Sequence, residues 1–593
     1  MAIGRRGFVT GLAVPALSLG GQRYAQEQTA KAPPAGAGPA GAVTPARSGT
    51  GTGTGTPTGS RIPVSQDDTV DELVAKAARL RPTEPQIAWQ QRLERTAFLH
   101  FGVNTFTGLE WGTGDEDPRL FRPTGLDTDQ WARALRDGGF SLAVLTVKHH
   151  DGFVLYPSRH TAHSVASSDW ENGRGDVLRS FADSMRRHGI KVGVYVSPAD
   201  ENQYLHGVYA NGSARTPRTI PTAPAATTVP TVTTVPTVTT APAATTAPVA
   251  AEGAAGSRRG PVLRLPATDY GAYMLNQLYE ILTEYGPVDE VWFDGAQGRI
   301  PPDKVESYDW DSWYALIRAL APDAVIAVSG PDVRWVGNED GSARENEWST
   351  VPVRETAATH GRTDFALSYD TPDQGSRAAL AAARPRTDCL RWWPAECDVS
   401  IRPGWFFHAE ERPKTAEQLT DLYFRSVGRN AVLLLNVPPD RRGLLHEADV
   451  AVLSAFDARL RRELPEDLAL GCPARGDGRW PGRAVDGDPD TSWTAPEPVT
   501  GARGTLTLDL GTPRTVDRVR LAEDIRHGQQ VEQAVVEAET DGGWTRVAET
   551  GTIGASRILL LPAPVTARHW RLRVLATRER TRIARFELHR SRP

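Results

Sequence analysis

Glu290–Gly298 reads EVWFDGAQG, a short apolar run that closes on an acid and a glycine. Such a run predicts a buried strand that carries Asp294 to the rim of a sheet. Further along, Arg334–Asp340 reads RWVGNED, a polar stretch with Glu339 inside it. If both stretches end on one rim, two carboxylates face one space. One of them can then attack or activate water while the other moves a proton.

Outward from this stretch, strands and helices alternate. AFLHFG at 97–102, SLAVLTVKHHDG at 141–152, KVGVYVSP at 191–198, VDEVWFDG, AVIAVSG and AVLLLNVPP at 431–439 read as strands. Asp129–Gly138, Asp176–His188, Tyr270–Tyr285, Trp310–Leu320 and Thr415–Gly428 read as helices, and in the second Val177, Leu178, Phe181 and Met185 recur at helical spacing. Near-continuous apolar strands between helices imply a parallel sheet covered on both faces. About eight such units, with polar and aromatic residues at their exits, favour an α/β fold of the (β/α)8, TIM-type barrel class, with the site at the C-terminal strand ends.

The chain of 593 residues has room for more than one domain. A net charge of −5 offers no electrostatic case for nucleic acid or an anionic membrane as partner. Three cysteines (Cys389, Cys397, Cys472) are too few for a disulfide scaffold, although a Cys389–Cys397 bridge is conceivable. Arg5-Arg6 ahead of a short apolar stretch resembles a twin-arginine export signal over 1–28, so the mature protein is expected outside the cytoplasm. An Ala/Pro/Gly/Thr-rich tether follows over 29–66, then the barrel over 67–465. A Thr/Pro-rich insertion at 213–260 is expected to stay extended inside that domain. No feature assigns an oligomeric state.

The chemistry-bearing residues fall at the expected strand exits. His100 ends the first strand, Glu110 and Trp111 follow it, His149 and His150 close the second, Tyr195 lies on the third, and Trp292 with Asp294 ends the fourth. A lone strand histidine is ordinarily structural, and an acid before glycine is often a turn former. His149 and His150 could mark a metal, but neighbouring strand residues point to opposite faces. The convergence of several strands on one rim favours a binding site. Two carboxylates facing one sugar are the parts of a glycosidase. Glu345, Glu347 and Glu396 rival Glu339 as the proton donor.

At these residues the chain resembles the retaining α-L-fucosidases of glycoside hydrolase family 29. The matching stretches are FLHFGVNTF, LEWG, LTVKHHDGF, GVYVSP, VWFDGA and LLLNVPPDRRG, spanning roughly Pro82–Leu460. The resemblance implies Asp294 as nucleophile and a fucose pocket of His100, Glu110, Trp111, His149, His150, Tyr195 and Trp292, with no cofactor for catalysis. RWVGNED and PAECDVSIRPGWFFH resemble the branch acting on α-1,3/1,4-linked fucose of branched, Lewis-type glycans. That branch implies Glu339 as acid/base and places Arg334, Trp335, Glu396 and Trp405 on the leaving-sugar side. The expected partner is a fucosylated oligosaccharide. The alternatives are a catalytically dead carbohydrate-binding protein on the same scaffold and a glycosidase of other sugar preference.

Beyond the barrel, 466–593 changes to period-two patterns such as TLTLDL and HWRLRVLA, which predict a β-sandwich. AVDGDPDTSWTA at Ala484–Ala495 and the closing ARFELHR resemble discoidin-type, galactose-binding-like domains. That resemblance makes Asp486, Asp488, Asp490 and Glu587 candidates for a structural Ca²⁺, whose ligands are oxygens.

Overall fold

The computed structural model describes residues 59–222, 262–295, 298, 307–355, 363–365, 371–497 and 504–592. Eight strands form one all-parallel sheet in a nearly closed ring: β1 Arg95–Leu99, β2 Leu142–Lys148, β3 Lys191–Val196, β4 Glu290–Phe293, β5 Val325–Val328, β6 Arg334–Trp335, β7 Ala395–Ser400 and β8 Ala431–Asn436. Except at β5 and β6, each strand pairs with the next in chain order, and β8 returns to β1. No ladder joins β5 to β6 among the described residues. Asp332 bridges there instead: its N–H donates to Ile326 O at 3.2 Å, and its Oδ2 accepts from Ile326 N–H at 2.8 Å.

Helices α1 Thr128–Asp137, α2 Val177–Arg187, α3 Asp269–Glu284, α4 Trp310–Leu320, α5 Ala416–Ser426 and α6 Glu447–Glu463 belong to the barrel units. Side-chain caps start them where a polar residue precedes an apolar stripe. Asp176 accepts from Arg179 N–H at 2.8 Å, and Thr415 forms a capping box with Gln418. Val177, Leu178, Phe181 and Met185 of α2 are fully buried against the sheet, each contributing about 1.5–3 kcal/mol. Gly189 follows α2 at φ +73°, as the C′ position requires.

Strand alternation sorts the side chains. Val291 and Phe293 of β4 pack against the helices, while Trp292 packs into the barrel interior with Phe98, Val144, Tyr195, Ala327 and Leu434. The site therefore stands on a floor of rings.

Two of the eight strands escape the sequence reading. β6 has only two residues, and β7 reads AECDVS, with Glu396, Asp398 and Ser400 on alternate positions. No helix separates β5 from β6. The segment between β6 and β7 instead adds Thr350–Glu355, Thr363–Phe365 and Cys389–Trp392 to a four-stranded side sheet.

Three further expectations are corrected. Arg61–Pro63 pairs with Cys389–Trp392 in that side sheet, so the tether does not run to residue 66. Thr216–Pro221 and Val262–Ala267 form an antiparallel ladder, so the edge of the insertion is ordered, while 223–261 and the export signal lie outside the described residues. Cys389, Cys397 and Cys472 are all thiols.

The C-terminal part is an antiparallel sheet built on two long strands, Thr505–Glu523 and Arg557–Thr577, which run well beyond TLTLDL and HWRLRVLA. Their ladder shifts register between Asp509 and Arg514, where the strands bend around a core containing Trp493 and Trp570.

Candidate active site at the barrel rim

Asp294 stands one step beyond β4, directly above Trp292. Tyr195 Oη–H donates to Asp294 Oδ2 at 2.9 Å, and His150 Nε2 lies 3.7 Å from the same oxygen. Tyr195 is 1% exposed and stacks between Trp292 (5.3 Å, 25°) and His149 (5.6 Å, 16°), so its hydroxyl has little freedom to leave the carboxylate.

The three histidines form one cluster. β2 ends at Lys148, which releases the next residues from strand alternation. His149 and His150 therefore both enter the site, with ring centroids 4.2 Å apart. His100 Nδ1 lies 2.9 Å from Asn436 Oδ1, and Asn436 Nδ2 donates to Ser400 Oγ and Trp405 O. The amide orientation makes Nδ1 the protonated nitrogen of His100, leaving Nε2 as acceptor. Burial pushes the His100 pKa down to about 3. His150 Nδ1 contacts Ser197 Oγ at 2.7 Å, and that hydroxyl donates to Ala199 O, so Nδ1–H is again the donor. Burial lowers the pKa of His150 and, more strongly, that of His149. Neutral rings with acceptor nitrogens suit sugar hydroxyls. His149 Nδ1 is buried without a hydrogen-bond partner among the described residues.

Trp111, 43% exposed, covers His150 at 4.2 Å. Glu110 shapes the opposite wall: Oε2 accepts from the N–H groups of Trp405 and Phe406 at 3.0 and 3.3 Å, and Oε1 lies 2.8 Å from His408 Nε2. The Trp405 ring then lies 5.0 Å from His100.

Glu339 sits on a turn organised by Asn338, whose Oδ1 accepts from the N–H groups of Asp340 and Ser342 and whose Nδ2 donates to Ser342 O. The residue is exposed at the surface, yet enough protein surrounds its carboxyl to raise its pKa. The causes are desolvation first and then the Asp294 charge, with Glu110 adding to them, while a hydrogen bond from Trp405 opposes them. One carboxylate accepts an O–H, and the second has its pKa raised by burial and by the charge of the first.

The rivals of Glu339 are committed elsewhere. Glu347 is fully buried between Arg334 and Arg344. Glu345 pairs with Arg429 and Arg557 at 2.7 and 2.5 Å. Glu396 lies inside the barrel, where it accepts from Trp292 Nε1–H at 2.9 Å. Burial holds the pKa of Glu396 far up.

These placements also correct the leaving-side assignments. Arg334 is 0% exposed, donates to Trp393 O and Trp348 O and pairs with Glu347, so it faces away from the site. Glu396 supports the floor. Trp335, next to Arg334 on β6, points the opposite way from Arg334 and donates to Asp398 Oδ1 at 2.8 Å. Asp398 escaped the sequence reading. It is buried on β7, and burial together with the Glu339 and Asp294 charges raises its pKa strongly. Asn436, which orients His100, was also missed; the polar end of the apolar run AVLLLN is its only sequence signal.

The calcium candidates do not form a carboxylate cage. Asp486 and Asp488 accept from backbone N–H groups within their own loop, and Asp490 pairs with Arg92. Glu587 stands with Arg520, Arg585 and His589. No group of three or more His, Cys, Asp or Glu residues among the described residues could hold a metal ion.

A parallel barrel with two carboxyl groups at its rim among indole, imidazole and phenol rings has the parts of a glycoside hydrolase. The alpha-L-fucosidase family profile matches residues 86–463, and an F5/8 type C domain profile matches 474–588. Alpha-L-fucosidase 1 of Arabidopsis thaliana is 35% identical over 502 residues, covering 83% of this chain and 84% of that protein. A crystal structure from Bacteroides ovatus assigned as an α-L-fucosidase has a TM-score of 0.71 at 37% identity, over 90% of this chain and 78% of that one. A Ruminococcus gnavus family 29 fucosidase in complex with fucose has a TM-score of 0.65 at 27% identity, over 86% of this chain and 95% of that one. The chain belongs to the α-L-fucosidases of glycoside hydrolase family 29, with a C-terminal F5/8 type C domain. The expected enzyme class holds, and the alternative of a catalytically dead binding protein falls away.

Proposed function

We propose that this α-L-fucosidase removes terminal fucose by double displacement, with Asp294 as nucleophile and Glu339 as acid/base. What supports this reading is the Asp294 charge acting with burial to raise the Glu339 pKa, joined to the commitment of Glu345, Glu347 and Glu396 to other partners. Asp294 attacks C1 of the bound fucose as Glu339 passes its proton to the leaving oxygen, which yields a fucosyl ester and a free sugar alcohol. Glu339, now a carboxylate, takes a proton from water as that water attacks C1. The ester bond breaks and Asp294 is regenerated. Tyr195 holds Asp294 in line throughout. His100, His149 and His150 accept from fucose hydroxyls, and Trp111 covers the sugar face.

The linkage reading is α-1,3/1,4 fucose on branched glycans. Trp335, Trp405 and the buried Asp398 support it, because they put polar and aromatic groups beside Glu339, where a second sugar would sit. Arg334 and Glu396 take no part. A fluorinated fucosyl fluoride that traps the ester tests the nucleophile: mass labelling of the peptide carrying Asp294 is expected, and labelling of another carboxylate would refute the assignment. Activity on Lewis trisaccharides, 2′-fucosyllactose and an aryl fucoside tests the linkage. Efficient aryl hydrolysis with none on the Lewis trisaccharides would overturn it. Export by the twin-arginine route completes the proposal, and fusion of residues 1–28 to a reporter tests it.

A further inference from the structure

The turn that bears Glu339 is held from the far side by the C-terminal domain. Behind it, Arg344 donates to Val336 O at 3.0 Å and to Glu347 Oε2 at 3.1 Å, and Arg334 pairs with the same carboxylate. Val336 N–H in turn donates to Glu396 O on β7. Glu347 is thus the knot that ties both ends of the 336–347 segment to the barrel.

Three C-terminal residues grip that knot. Gln529, fully buried, donates from Nε2 to Glu347 O at 3.1 Å and accepts from Ser349 N–H at 2.8 Å. Arg557 donates to Glu345 O and Glu345 Oε1, both at 2.5 Å. Thr552 N–H donates to Asn346 Oδ1 at 3.2 Å. The approach is close: a Cβ on Gly551 would stand 2.3 Å from Asn346 Oδ1, and one on Gly554 2.3 Å from Asn430 Cγ. Four residues of the 345–349 stretch, Glu345, Asn346, Glu347 and Ser349, are therefore bound through backbone groups or short side chains, a contact type that fixes backbone position.

We infer that the F5/8 type C domain is a positioning element for catalysis, with Gln529 and Arg557 acting through Glu347 and Glu345 to hold the Glu339 turn in its proton-donating place. This rests on Glu339 as acid/base. Asp294 is held instead by β4, Tyr195 and His150. Loss of the grip should therefore harm proton donation and spare nucleophilic attack.

The test compares Gln529→Ala and Arg557→Ala in the full-length chain with Glu339→Gln, using aryl fucosides of graded leaving-group acidity beside a fucosyl oligosaccharide. Arg557→Ala is the milder change, because its partner Glu345 is 62% exposed. Each variant should lose about tenfold or more in kcat/KM on the oligosaccharide and less than about threefold on the most activated aryl fucoside. Amide exchange over 336–349 should rise in both. Uniform loss, or none, in these variants while Glu339→Gln stays leaving-group-selective would overturn the positioning role and leave the acid/base assignment standing. Uniform loss in Glu339→Gln would overturn that assignment and the inference with it. If Gln529→Ala fails to fold, Arg557→Ala decides alone, and Arg557→Lys should recover part of its loss.

Discussion

Arg334→Met separates the two readings of the RWVGNED segment. If Arg334 contacted the leaving sugar, its loss would raise KM for branched glycans and leave stability untouched. The structure places it elsewhere: 0% exposed, with Nε donating to Trp393 O at 3.0 Å, Nη2 donating to Trp348 O at 3.1 Å, and a contact to the equally buried Glu347. Removing one partner of a buried ion pair costs about 3–5 kcal/mol, because the other charge is left uncompensated. Glu347 keeps Arg344 at 3.1 Å, so the lower end, about 3 kcal/mol, is expected here. That is a large share of a folded protein's net stability of roughly 5–15 kcal/mol. Urea unfolding followed by tryptophan fluorescence reads it, alongside KM on a Lewis trisaccharide. Arg334→Met with Glu347→Leu should recover only part of the loss, since the apolar pair removes the charge left by Arg334 but takes from Arg344 the carboxylate it also pairs with. A change under about 1 kcal/mol, joined to a KM rise confined to branched substrates, would refute the structural role.

Tyr195→Phe keeps both ring stacks and deletes the hydrogen bond to Asp294. A bond to a charged group is worth about 1.5–3 kcal/mol, so kcat/KM should fall roughly tenfold to a hundredfold with an unchanged melting temperature; a loss under about twofold would remove the hydroxyl from the mechanism. The alkaline limb of kcat/KM should report Glu339. It must hold its proton to donate, and its raised pKa keeps that proton above the ordinary glutamate range, so activity falls as pH rises through that pKa. Glu110→Gln removes one of the like charges and should move the limb to lower pH; movement to higher pH would contradict the cause assigned. Asn436→Ala takes away the acceptor that orients His100. It should cost about 1–3 kcal/mol in kcat/KM equally for aryl and oligosaccharide fucosides, because it acts on the fucose side of the bond.

The sequence by itself carried the strand that bears Asp294, the rim histidines, Tyr195, Trp111 and the family. Each sits where an apolar strand breaks into polar residues, and that break is local and visible in one chain segment. Local signals also determined α2, whose stripe, Asp176 cap and closing Gly189 all agree. Tertiary structure alone decided the fate of β6 and β7. Their interior-facing residues are Trp335, Glu396, Asp398 and Ser400, and a polar strand reads as a loop until its partners are known. Those partners, Trp292 for Glu396 and Trp335 for Asp398, come from other strands across or beside the barrel. The same distance hid the role of Arg334: strand alternation turns it away from Trp335, but only folding shows that Glu347 waits on that side. The support behind the Glu339 turn was hidden more deeply still, since Gln529 and Arg557 meet Glu347 and Glu345 from another domain. Period and composition report which face a residue shows, whereas the groups that meet on that face are set by closure of the barrel and docking of the second domain.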